Sequence, residues 1–276
     1  MPKILYVTDL DGTLLNKQSR INEESIQIIN DLIRQGMLFT YATARSLVSA
    51  SVVAQGLSTD IPVIAYNGAF IIHPSTGKIL SQESFGAEES QDVTDVVEKY
   101  GISTLVYSYV EGAEKVSWLT ERENEGIKNY LSARKGDRRL RPVSKLEDLY
   151  QGDMFYFTCV GEQEELAPVY DIFSRDCRFR CTIQQELYRQ EYFCEIMPAK
   201  ATKAEAVRKL KRLWDCDKVV SFGDAVNDIP MFEASDECYA VENAVDELKA
   251  IATGVIESNE SDGIAKWLKR NALTVR

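Results

Sequence analysis

The stretch YVTDLDGTLL, residues 6–15, decides how this chain is read. An apolar run breaks off in two carboxylates, Asp9 and Asp11, with Leu10 between them and Gly12 and Thr13 directly after. Side chains two apart on a strand project to the same side, so both acids can face one space while Leu10 packs away. The space beyond the carboxyl ends of the strands is where an open α/β sheet binds its ligands. A turn in which the aspartates bond nearby backbone groups fits the same residues. A calcium loop does not: starting at Asp9 it would need glycine at position 14 and glutamate at position 20, where Leu14 and Arg20 stand.

Outward from this stretch, strand and helix patterns alternate. Residues 3–8 read as a short apolar strand, and Asn22 is placed to cap a helix carrying Ile26, Ile29, Leu32 and Ile33, with Gly36 at its end. Residues 37–42 follow as a strand, 46–55 as a helix and 62–66 as a third strand. Asn67-Gly68 then signals a hairpin into 70–72. From about residue 87 the strands arrive in pairs, which predicts an antiparallel sheet with helices on one side. After Pro198 the alternation returns. The expected fold is α/β, a Rossmann-like parallel-sheet core domain built from residues 1–83 and 194–276, interrupted by an inserted α+β domain at 84–193.

Composition narrows the partners. The 276 residues are 45% hydrophobic and carry a net charge of −11, which argues against nucleic acid or an anionic membrane surface as the main partner. No apolar run approaches the about 18 residues of a membrane span, and the N-terminus has no leader pattern, so a soluble, cytoplasmic protein is expected. Six cysteines fall in the second half, and Cys177 and Cys181 form a CxxxC pair, but with His73 the single histidine a zinc site is not expected. The basic run RKGDRRLR, 134–141, is flanked by acids and reads as a solvated face or loop. An anionic small molecule would need local cations or a metal to overcome the field of the whole chain.

Other element ends supply such groups. In SFGDAVNDIPM, 221–231, a strand again ends in an acid, Asp224, with Asn227 and Asp228 in the next turn. Asp224 alone could merely cap a helix. Two strands of one sheet delivering carboxylates to one edge ask for a cation, and hard oxygen donors suit Mg²⁺. The strand ending YATAR sets the Thr43 hydroxyl and Arg45 at a helix entrance, where free N–H groups favour negative charge. Lys203 lies near the start of a helix, where the dipole does not favour a cation, although a plain surface lysine fits as well.

Taken in order, DLDGTLL, ATAR with Thr43, Lys203 in KATKAEAV and GDAVNDIPM resemble the four motifs of the haloacid dehalogenase superfamily of phosphohydrolases. YNGAFI and SNESDGIAKWL resemble its Cof-like branch, in which a large α+β cap is inserted between the second and third motifs. Ala44 and Ala204 stand where that branch often has glycine, which removes no functional group. The resemblance implies an aspartyl-phosphate mechanism with Asp9 as nucleophile and Asp11 as proton donor and then base. It implies Mg²⁺ held by Asp9, the main-chain carbonyl of Asp11, and Asp224. Thr43, Lys203 and Asn227 would bind phosphate, and Asp228, Arg45 and Asn67 would support them. The cap would close over the site and read the leaving group; its QQELYRQEY loop offers Glu186, Tyr188 and Arg189 as sugar-reading groups, although ordinary strand-end residues fit these positions at least as well. The implied substrates are small phosphorylated metabolites, sugar phosphates above all. A phosphosugar mutase and a non-catalytic phosphosugar-binding regulator are the rival readings, and oligomeric state has no signature in the sequence.

Overall fold

The computed structural model describes residues 2–58, 60–185 and 191–272. The chain divides into two compact units, Met1–Gln82 with Lys200–Arg276, and Glu83–Ala199.

The first unit begins with β1 (Ile4–Thr8), α1 (Glu23–Arg34), β2 (Leu38–Tyr41), α2 (Leu47–Val53) and β3 (Val63–Ala65), then β4 (Phe70–His73) and β5 (Lys78–Gln82). In the inserted unit come α3 (Ala87–Lys99), β6 (Thr104–Val110), β7 (Ala113–Leu119), α4 (Glu125–Ser132), β8 (Leu140–Val143), α5 (Leu146–Leu149), β9 (Asp153–Gly161), α6 (Gln163–Phe173), β10 (Phe179–Gln185) and β11 (Tyr192–Pro198). The chain then returns through α7 (Lys203–Leu213), β12 (Lys218–Gly223), α8 (Ile229–Glu233), β13 (Glu237–Val241), α9 (Asp246–Ile251), β14 (Gly254–Ile256) and α10 (Gly263–Asn271).

In the first unit β14-β13-β12-β1-β2 form a sheet in which every pairing is parallel. A parallel sheet is covered on both faces, and the middle of its inner strand β1 is accordingly apolar and buried: Leu5, Tyr6 and Val7 are at most 1% exposed. They share one core with Ile29 of α1, Leu210 of α7, Leu248 of α9 and Leu268 of α10. Beyond β2, Ala42 bridges Ile64 in parallel. There the chain reverses, and β3-β4-β5 make a small antiparallel sheet. The reversal rests on Asn67 and Gly68, whose φ values of 53° and 107° only a turn residue adopts at low cost. Asn22 does stand at the entrance of α1, but its side chain donates to Asp262 Oδ1 at 2.9 Å instead of capping the helix.

The inserted unit is a six-stranded sheet, β10-β11-β9-β6-β7-β8, antiparallel except where β7 and β8 run parallel. Val106, Phe157, Cys159, Cys194 and Ile196 point to one face and pack on Val93 and Val97 of α3 and on Leu166, Val169 and Phe173 of α6. Two expectations are corrected here. Helices do not keep to one side of the sheet, because α4 approaches the opposite face, where the Tyr130 hydroxyl lies 2.9 Å from that of Tyr107. The basic run is not simply solvated either. Arg139 is largely buried between Glu114 and Asp137, 2.6 Å from each, and the run leads into β8. Alternating charge along the chain hides such a partner, since Glu114 lies on another strand. β5, β8, α5 and β14 have no periodic signal long enough to be read from sequence. Among the described residues, no helix is long and apolar enough to cross a membrane.

Candidate active site

The sheet order sets β1 beside β12, so the two strands that end in acids end side by side. The Asp9 N–H donates to the Phe222 carbonyl at 3.0 Å, which fixes the exit of β1 against β12. The chain then turns tightly through residues 10–14, burying Leu10, Thr13 and Leu14. Gly12 has a φ of 79°, and a Cβ there would come within 2.2 Å of Asp224 Oδ2. Only glycine lets the turn press this closely on the second acid. The Thr13 hydroxyl donates to Asp224 Oδ1 at 2.8 Å.

Lys203, the first residue of α7, enters from the other side, and its ammonium is 2.5 Å from Asp9 Oδ1 and 2.7 Å from Asp228 Oδ1. Thr202 caps α7 through its hydroxyl, which accepts from the Glu205 N–H. Gly68 lies where a Cβ would sit 2.1 Å from the Thr202 carbonyl, so the turn after β3 helps seat the start of α7. Asp228 Oδ2 accepts from the N–H groups of Asp224 and Ala225 at 3.1 and 3.2 Å. Both oxygens of Asp228 are thus committed to holding Lys203 and the β12 turn. Asp9 Oδ2 and Asp224 Oδ2 are not engaged by these side chains.

Lys203 is only 2% exposed, Asp9 5% and Asp228 0%. A lone buried charge would be prohibitive, so the ammonium and carboxylates exist here only as a group. Burial pulls Lys203 down, but Asp9 and Asp228 outweigh it and hold the ammonium above its ordinary value. Burial pushes the Asp9 carboxyl up, against the pull of Lys203 and with help from Asp228 and Asp224. Asp224 is likewise pushed up to about 6 by burial, in part offset by Thr13. Three carboxylates facing one ammonium leave a surplus of negative charge that further positive charge would relieve. Asp9, Asp224 and Asp228 each bring an oxygen within 4.8 Å of the others, an all-oxygen set that fits a hard divalent cation such as Mg²⁺.

Asp11 is set apart from this cluster. Its two oxygens take a forked pair of hydrogen bonds from Arg45, at 2.7 and 2.6 Å, and Arg45 also donates to Ser49 at 3.1 Å. Thr43 is fully buried, and its hydroxyl accepts from the Arg45 N–H at 3.1 Å. The Asn67 N–H donates to the Thr43 carbonyl at 2.9 Å, tying the β3 turn to the end of β2. Asn67 Oδ1 is buried and, among the described residues, has no hydrogen-bond partner. An unmatched buried acceptor is costly and marks the place for a donor. Asn227 lies half-buried on the Val226–Asp228 turn, and the partners of Lys203 are the two aspartates.

Supporting residues beyond the motifs come from distant segments. Asn243 Nδ2 donates to the Gly12 carbonyl at 2.8 Å, and its Oδ1 accepts from the Asn259 N–H at 3.1 Å. Asn259 Nδ2 in turn donates to the Leu15 carbonyl at 2.8 Å. The SNESDG stretch contained a signal for Asn259; nothing local marked Asn243. Glu186, Tyr188 and Arg189 lie outside the described residues.

Residues 6–268 match the family model of the haloacid dehalogenase-like hydrolases. The 5-amino-6-(5-phospho-D-ribitylamino)uracil phosphatase YwtE of Bacillus subtilis is 29% identical over 94% of this chain and 95% of its own length. A second phosphatase of the same name, YitU from that organism, is 25% identical over 96% of each chain. The crystal structure of TM0651 from Thermotoga maritima superposes with a TM-score of 0.80 at 27% identity, covering 99% of this chain and 98% of that one.

Proposed function

The chain belongs to the haloacid dehalogenase-like hydrolases, and from that membership we propose that it is a Mg²⁺-dependent phosphatase of small phosphomonoesters, working through an aspartyl-phosphate on Asp9. The observation that carries this is the unlike setting of the two acids: Asp9 is buried on Lys203, while Asp11 is held apart by Arg45.

A phosphomonoester dianion repels an attacking carboxylate until charge is neutralised. Lys203, already bonded to one Asp9 oxygen, orients the carboxylate and supplies positive charge where negative charge gathers in the transition state. Mg²⁺ would be held by Asp9, the Asp11 main-chain carbonyl and Asp224, and would supply the remaining charge neutralisation. Thr43 and Asn227 are placed by this reading on the phosphoryl oxygens. Asp9 attacks phosphorus as the bond to the leaving alcohol breaks, and Asp11 delivers a proton to the departing oxygen. Asp11 then takes a proton from the water that attacks the aspartyl-phosphate, releasing inorganic phosphate and restoring Asp9. For this Asp11 has to leave Arg45, so Arg45 acts as its holder between turnovers. Asp228 positions Lys203, and Asn67 supports the Thr43 loop.

The expected substrates are phosphate esters of sugars or sugar alcohols. Two relatives named for a ribityl phosphate ester support that class and make 5-amino-6-(5-phospho-D-ribitylamino)uracil the first compound to assay. The inserted unit would choose among leaving groups. Phosphate release from p-nitrophenyl phosphate with Mg²⁺, abolished by a chelator and restored by added Mg²⁺, tests the reaction. Turnover that persists in chelator refutes the metal dependence. Asp11→Asn should fail most severely on alkyl esters, whose leaving groups need a proton, and equal rates for alkyl and p-nitrophenyl esters would remove Asp11 from its role.

A further inference from the structure

β13 ends at Val241 on the same side of its sheet as β1 and β12 end, because the strands run parallel. The loop that follows, residues 242–245, reaches both acid-bearing turns with groups that carry no charge. The Val245 N–H donates to the Asp224 carbonyl at 2.9 Å. Asn243 reaches past β12 and donates from Nδ2 to the Gly12 carbonyl at 2.8 Å, one peptide on from the carbonyl of Asp11. Ala244, between them, is buried and anchors the loop in the core.

The asparagine is itself held. Its Oδ1 accepts from the Asn259 N–H at 3.1 Å, and the Asn259 side chain donates to the Leu15 carbonyl at 2.8 Å, where the β1 turn ends. Position 243 has to donate to a carbonyl and accept from an N–H at once, which an amide does. An aspartate has no such donor and would add another negative charge beside the carboxylates. Asn243 is exposed, so what it contributes lies in these two bonds and not in packing.

The two turns also meet directly, through the Thr13 hydroxyl on Asp224 Oδ1 at 2.8 Å and the close approach of Gly12 to the same carboxylate. Asp9 and Asp224 nonetheless repel each other unless a cation lies between them. Mg²⁺ tolerates little error in its ligand distances, so the turns that bring its ligands have to keep one spacing. A tie made of neutral groups does this without adding to the charge.

We propose that the loop after β13 is a clamp that sets the spacing between the β1 turn and Asp224, with Asn243 as its positioning residue for a divalent cation held there. The proposal rests on the phosphatase reading for the identity of the cation site. Asn243 acts through the Gly12 carbonyl, and its loop acts on Asp224 through the main chain of Val245.

The test uses the full chain without substrate and Mn²⁺ as the probe, an ion that takes the same oxygen donors as Mg²⁺ and whose free form is counted by electron paramagnetic resonance. Asn243→Ala should weaken Mn²⁺ binding by about tenfold or more. Asn259→Ala keeps its main-chain N–H on Asn243 and loses only the bond to Leu15, so its Mn²⁺ affinity should stay within about threefold of the parent. An Asn243→Ala protein with a lowered thermal midpoint and unchanged Mn²⁺ affinity would show a merely structural contact and overturn the proposal. Equal weakening in both variants, the mark of a generally loosened turn, overturns it too, as does a parent that binds no Mn²⁺. In a second measurement, the Mg²⁺ concentration for half-maximal hydrolysis of p-nitrophenyl phosphate should rise in Asn243→Ala by the same factor as the Mn²⁺ dissociation constant. If no ester is hydrolysed the phosphatase reading fails, and the Mn²⁺ titration still decides the clamp.

Discussion

The two sheets of this protein put polar groups to use in opposite ways. The parallel sheet buries mainly apolar side chains and brings its acids in at strand ends, where β1 and β12 give out beside each other in Asp9 and Asp224. The antiparallel sheet of the inserted unit carries its polar groups on a face, with Glu195 and Thr158 in mid-strand. The difference follows from coverage. A sheet covered on both faces meets a ligand only where its strands end, whereas the inserted sheet packs apolar side chains on α3 and α6 on one face and turns polar ones toward α4 on the other.

Substitutions separate the two regions. Asp9→Asn should lower turnover of every ester by about 10³-fold or more while the fold is kept. An Asp9→Asn protein that keeps activity within tenfold of the parent would break the comparison at its centre. Lys203→Met comes next, because it leaves Asp9 and Asp228 buried without their shared cation. It should cost about 3–5 kcal/mol in urea unfolding. Arg175→Met just beyond the end of α6, whose partner Asp171 is exposed, should cost nothing measurable.

Protons report the same crowding at a smaller scale. Asp9 and Asp224 hold their protons more tightly folded than unfolded, so the folded state binds more protons over the interval between the ordinary carboxyl range and their raised values. Stability of the metal-free protein should therefore be greatest below that interval and fall as pH rises from 5 to 7, by on the order of 1–2 kcal/mol. Carboxylates held low, such as Asp137 and Asp236, lose their stabilisation only in more acid solution and leave this window clear. Asp224→Asn should flatten the slope in thermal melts, and an unchanged slope would mean that the cluster is not under charge strain. A smaller loss than at Lys203 is expected at Asn259→Ala. Losing its bond to the Leu15 carbonyl should cost about 1 kcal/mol in the same unfolding assay, and a loss of several kcal/mol would show the turn after β1 to be far less self-supporting than its buried leucines suggest.

The contrast also explains what could be read in advance. An acid that interrupts an apolar run is conspicuous, so Asp9, Asp11 and Asp224 stood out, as did Thr43 and Arg45 at the end of β2. Lys203 was ambiguous because nothing local separates a buried lysine from a surface one, and its burial depends on two partners far off in sequence. Glu195 was invisible for the same reason: in EYFCEIM it looks like any polar residue on the open side of a strand. Asn243 and the Arg139–Glu114 pair join segments that share no pattern. α4 was recognised as a helix, but periodicity does not say which face of a sheet a helix will cover.

Alternating strand and helix periods, together with acids where strands end, determined from sequence alone that a parallel α/β core is interrupted by an α+β insertion and which residues carry candidate chemistry. Such signals are local, spanning one element and its ends. Only the tertiary structure decided that Asp9 shares Lys203 with Asp228 while Asp11 pairs with Arg45, and that the inserted sheet turns Glu195, Tyr107 and Phe193 toward a cavity that Tyr130 of α4 also lines. These outcomes depend on strand order and on charges buried in mutual contact, where the cost of leaving water is met by partners the chain brings from as far as 194 residues away.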